Sequence, residues 1–80
     1  MRMTAIRIRE LMHAVPFKPF KIHLPGAKII RVPHSDFISI SPSGRIVVVH
    51  GPKDEVYTLD VFLIVALEAE PSKAGKASKS

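Results

Sequence analysis

Between Thr4 and Val15 the apolar residues Ala5, Ile8, Leu11, Met12 and Val15 recur at three- and four-residue spacing, the period of an amphipathic helix. Thr4 can cap the first turn, and Pro16, which cannot continue a helix, ends it. Arg7 stands where a capping box would need Glu or Gln, so that reinforcement is missing. The opposite face offers Arg7, Arg9 and His13, with Glu10 its only acid.

From Phe17 onward the period shortens to two. Phe20, Ile22 and Leu24 alternate with Lys21 and His23, and Leu24-Pro25-Gly26-Ala27 suits a type II turn, with proline presetting φ and glycine accepting positive φ. A strand over Ala27 to Val32 follows, stopped by Pro33. Ile38 and Ile40 alternate with Ser39 and Ser41 before a Ser41-Pro42-Ser43-Gly44 turn. Arg45 to His50 holds four consecutive Ile and Val residues, a pattern of burial on both faces, and Glu55 to Leu59 is its return strand beyond the Gly51-Pro52-Lys53-Asp54 loop. The run Val61 to Leu67 is apolar throughout, which leaves helix and strand open; its β-branched content favours strand. A variant has Asp60 capping a brief helical turn over Val61 to Leu63 before a strand from Ile64 to Glu68.

One helix followed by five short strands at about ten-residue spacing predicts a mainly β (α+β) domain. Its strands would form a strongly bent antiparallel meander closing into a small open barrel, with the helix over one mouth or face. The domain spans residues 1–70. Residues 71–80, PSKAGKASKS, lack any large apolar group to offset the entropy of ordering and read as a flexible basic tail.

Composition narrows the function. Without cysteine there is no disulfide framework, thiolate metal site or cysteine nucleophile. The longest apolar run, Val61 to Leu67, falls far short of the roughly 20 residues that span a bilayer, and Arg2, Arg7, Arg9 and Glu10 interrupt any signal-peptide core. The expectation is a cytoplasmic protein with no membrane partner. A domain this small buries only about 60% of its unfolded surface, and seventeen Ile and Val residues are a heavy apolar load for it, so self-association is expected.

The net charge of +5 is unevenly spread. Residues 1–31 hold seven basic and one acidic residue, residues 32–70 two and six, and the tail three lysines. The tail therefore dominates the basic balance. Arg7, Arg9, Lys18, Lys21 and Arg31 form a candidate basic face for single-stranded RNA, where Phe17 and Phe20 could stack on bases. Both phenylalanines as core is the competing expectation. A third reading sets the basic segment of one subunit against the acidic segment of the next.

Nothing points to catalysis. His13, His23, His34 and His50 show no His-x-x-x-His spacing, and a turn stabilised by Asp36 accounts for the His34–Asp36 pair. Asp36, Asp54, Glu55 and Asp60 adjoin turns, the serines lack a nucleophile elbow, and the four glycines lack a phosphate-loop spacing. The reading is a non-enzymatic binding module with no metal, no cofactor and no small-molecule substrate.

Pro16-Phe17-Lys18-Pro19-Phe20-Lys21-Ile22-His23-Leu24, Val32-Pro33-His34-Ser35-Asp36-Phe37-Ile38, Ser41-Pro42-Ser43-Gly44-Arg45 and Leu59-Asp60-Val61-Phe62-Leu63-Ile64-Val65 resemble a group of short uncharacterised bacterial proteins. The likeness covers about residues 4–68 and implies a bacterial source. The chain departs from that pattern at Pro25, where Asp is usual, and at Ser35, where Pro is common.

The helix-plus-five-strand reading is also similar to the Sm-like RNA-binding fold, whose subunits form rings by pairing the fourth strand with a neighbour's fifth. Here Arg45 to His50 and Ile64 to Glu68 would take those places. The resemblance thus implies an oligomer interface at Ile46, Val47, Val48, Val49, Ile64, Val65 and Leu67. Gly26 followed by Asp36-Phe37-Ile38-Ser39 echoes the first Sm signature, with Ser39 at the base-contacting position, and the second signature is missing. Two functions follow as expectations: a self-associating barrel that binds single-stranded RNA, or an assembly module that ignores nucleic acid.

Overall fold

The computed structural model describes residues 3–70, so the predicted tail over residues 71–80 lies outside the described residues. One helix, α1 (Met3–Met12), precedes six strands: β1 (Phe20–Leu24), β2 (Lys28–Val32), β3 (Ile38–Ile40), β4 (Ile46–His50), β5 (Val56–Asp60) and β6 (Ala66–Ala69). Among the described residues no helix is long and apolar enough to cross a membrane.

The helix buries Ala5, Ile8 and Leu11, the stripe expected from the spacing, and ends at Met12, three residues early. The residue before a proline is pushed out of the helical region, and Val15, preceding Pro16, is 95% exposed instead of joining the apolar face. Thr4 lies inside the first turn, not ahead of it, so it is not the cap.

The strands form two antiparallel sheets of three, in the orders β2-β1-β6 and β3-β4-β5. The mainly β character stands, but in place of the expected five-stranded small open barrel there are six strands in two separate sheets. At Pro33, which has no N–H for a ladder, the chain leaves the sheet, and a 3₁₀ turn at Ser35–Phe37 separates β2 from β3. Six strands form where five were expected, each within a segment that the sequence had marked, and at the last of them the variant with a helical turn is the one formed. A 3₁₀ turn at Val61–Leu63, capped by Asp60 accepting from the Phe62 N–H at 2.8 Å, carries the chain from β5 in one sheet to β6 in the other.

Alternation does the rest. Phe20, Ile22, Ile30 and Val32 face inward from the first sheet and Ile38, Val47 and Val49 from the second, with Val61 and the helix stripe completing one buried core. Phe20 is wholly buried, which settles its role as core and removes it as a base-stacking residue.

The β1–β2 hairpin turns at Pro25–Ala27, where Gly26 has φ 78° as the type II assignment requires. Ala27 follows with φ 61°, so the strand starts at Lys28 and not at Ala27. A left-handed alanine costs about 1 kcal/mol, so Ala27→Gly should raise stability by up to that amount in urea titration.

Candidate interaction surface

The five basic residues singled out for RNA do not share one free face. Arg31 makes a two-pronged contact with Glu70, at 2.7 Å from Nε and 3.2 Å from Nη2. Arg7 pairs with Glu10 at 3.1 Å along the helix. Arg9 donates from Nη2 to the Ser41 carbonyl at 2.9 Å and the Pro42 carbonyl at 3.3 Å, tying α1 to the β3–β4 turn, and its Nε is buried without a protein partner. Arg9, Lys18 and Lys21 have no ion pair within 4 Å among the described residues, and of these only Arg9 is held by the hydrogen bonds just given.

Part of the charge asymmetry is thus satisfied inside one chain. On the outer face of the first sheet Lys21 lies opposite Arg31 on one side and Glu68 on the other, and His23 contacts Glu68 at 2.9 Å. Hydrogen bonding from Arg31 holds the Glu70 carboxyl below its ordinary range; burial works against this, and the charges of Arg31 and Lys21 assist. The same contact pushes the Arg31 guanidinium further up. A carboxylate depressed in the fold stabilises it above the ordinary carboxylate range and loses that contribution as acid protonates it. The melting temperature should therefore fall as pH drops through that range, and Glu70→Gln should flatten part of the fall.

The residues expected at an oligomer interface divide in two. β4 is the central strand of its sheet, paired with β3 on one side and β5 on the other, so it has no edge to offer. Val47 and Val49 point into the core, Val48 is half-buried, and Ile46 is 47% exposed. Their apolar run is explained by the chain's own packing. Ile64 and Leu67 are half-buried against the core, whereas Val65 is 67% exposed.

The edge strands are β2 and β6 in the first sheet and β3 and β5 in the second. Gly51 donates to the Glu55 carbonyl at 2.8 Å, which makes that pair a hydrogen-bonded one. Antiparallel alternation then turns the backbone groups of Val56, Thr58 and Asp60 away from β4. On β6, the Glu70 N–H bonds Pro19 at 3.0 Å, so Leu67 and Ala69 turn their backbone groups away from β1.

Beside the β6 edge, α1 leaves a seam. A hollow of about 350 Å³ is lined by Met3, Thr4, Arg7, Ile64, Val65, Ala66 and Leu67. A second, of about 260 Å³, continues past Arg7 to Leu11, Lys18 and Ala69. The lining is apolar with two cations and no carboxylate. Acids lie at both edges: β6 carries Glu68 and is followed by Glu70, and β5 has Asp60 at its end and Asp54 and Glu55 just before it.

Three rings form a surface row. Phe17 and His34 lie with centroids 6.3 Å apart and planes within 5°, and His34 and Phe37 lie 6.4 Å apart at 27°. His34 thus lies between the two phenylalanine rings. Ser39, expected at a base-contacting position from the Sm-like resemblance alone, is exposed on β3. Among the described residues no three His, Cys, Asp or Glu side chains gather where a metal could be held.

The β5 edge and the ring row escaped the sequence reading. Carboxylates flanking a short strand are a sign of an exposed edge, and Asp54, Glu55 and Asp60 carry it. The ring row has no such sign, since it joins residues from two separate connections. No family model, curated protein or solved structure matches the chain.

Proposed function

We propose that the chain is a non-enzymatic assembly module, a self-associating small β domain with Sm-like connectivity in which the β5 edge of one copy pairs with the β6 edge of the next. The observation that carries this reading is that β5 and β6, each an edge strand of its own sheet, turn backbone groups outward. They are consecutive in the chain and separated only by the turn at Val61–Leu63 and two further residues. Such a contact is head-to-tail, so it closes into a ring or extends into a filament according to the rotation between copies. A long unpaired edge is otherwise a liability that folds cover or blunt. In this reading the protein is a bacterial cytoplasmic component that needs no cofactor.

Light scattering over a concentration series tests the proposal. The expected mass is a multiple of the 8.8 kDa chain, and a monomer at the highest concentration overturns it.

A further inference from the structure

We infer that the Phe17–His34–Phe37 row is a stacking platform for the unpaired bases of a single-stranded nucleic acid. This site is distinct from the strand edges and lies wholly within one copy.

The row is placed by the ends of two paired strands. Phe20 is opposite Val32 in the β1–β2 ladder, so the residues just before β1 and just after β2, Phe17 and His34, emerge at the same end of the sheet. Pro16, Pro19 and Pro33 restrict the backbone on both sides. Phe17 is braced from beneath by the buried Phe20, with centroids 6.1 Å apart and planes tilted by 54°. His34 is held from the other side, because the Phe37 N–H donates to its carbonyl at 3.0 Å.

Core packing explains Phe17 but not the rest. Phe17 packs against the buried cluster, whereas Phe37, although half-buried, is not among the residues packed there, and His34 is exposed. Two flat side chains are thus ordered at the surface with no role in the core. Rings already fixed in nearly parallel planes lose little entropy when a further ring adds to the row, and every base has a π face to offer.

The charge beside the row is mixed, with Lys18 next to Phe17 and the exposed Asp36 next to Phe37. Lys18 adjoins Phe17 and is without an ion pair among the described residues. Outside the described residues the sequence holds three further lysines, Lys73, Lys76 and Lys79. Such a site takes RNA or DNA alike when single-stranded, and discriminates against a duplex, whose bases are already stacked.

The test is fluorescence anisotropy of the full chain with labelled ten-nucleotide oligouridine, oligothymidine and a duplex of matched length, at about 50 and 200 mM salt. Both single strands should bind at the lower salt and the duplex much more weakly. His34→Ala should weaken binding about 5- to 150-fold, the effect of losing one stacked base, without changing the salt dependence. His34→Tyr should retain most of the affinity. Replacing Lys73, Lys76 and Lys79 together by Ser should reduce the salt dependence and leave the His34→Ala effect in place. Thr58→Pro, which blocks the β5 edge, should bind as the parent does. The inference is overturned if the parent chain does not bind at the lower salt. It is also overturned if His34→Ala binds equally well with an unchanged circular dichroism spectrum, or if the duplex binds as tightly as the single strands.

Discussion

Phe20→Ala is expected to lower stability by about 3–5 kcal/mol in urea titration. Phe20 is fully buried, on the inner face of β1 between Val32 of β2 and Ala69 of β6, and Phe17 rests on it. Truncation loses the transfer energy of the ring and leaves a cavity bounded by two strands whose own pairing prevents collapse. Domains of this length have total stabilities on the order of 4–12 kcal/mol, so the variant should be largely unfolded in mild denaturant. Val15→Ala, at a residue 95% exposed, should change stability by less than about 0.5 kcal/mol. A large loss at Val15 would instead restore the longer helix that the spacing suggested.

The second large effect is on assembly. Thr58→Pro should convert the oligomer to a monomer while preserving the fold, because the Thr58 N–H faces the open edge and not β4. Ala69→Pro should do the same from the other side, since the Ala69 N–H faces away from β1. Mixing the two variants distinguishes head-to-tail pairing from any symmetric contact. Each retains the edge that the other lacks, so the mixture should form a one-to-one dimer and nothing larger, measured by light scattering or native mass spectrometry. Absence of a mixed dimer, or persistence of large species in either variant alone, would sink the proposal.

Much of the local structure was legible because it follows from rules acting over a few residues. The alternation in Phe20–Leu24, the positive φ at Gly26 and the Asp60 cap are each determined by their neighbours. What could not be read was the choice of partner. Four consecutive apolar residues from Ile46 to Val49 fit a central strand and an interface strand equally well, and only the pairing with β3 and β5 decides between them. The basic face failed for a related reason. Arg31 and Glu70 lie far apart in the chain, and their contact exists only because β6 comes to lie beside β1. Arg9 belonged by pattern to a solvated helix face, yet the turn at Ser41 and Pro42 supplied carbonyls that draw it in. The Phe17–His34–Phe37 row likewise arises from two connections meeting at one end of a ladder.

The two sheets also differ in how they are reached by a folding chain. The β3-β4-β5 sheet is a meander of adjacent hairpins, each closing a short loop. The β2-β1-β6 sheet remains incomplete until its last strand returns to β1, a pairing that brings together His23 and Glu68 from 45 residues apart. Loop closure over that distance is slow relative to hairpin formation. Until residues 66–69 are available one edge of β1 lacks its partner, so the last strand is the piece that completes the first sheet.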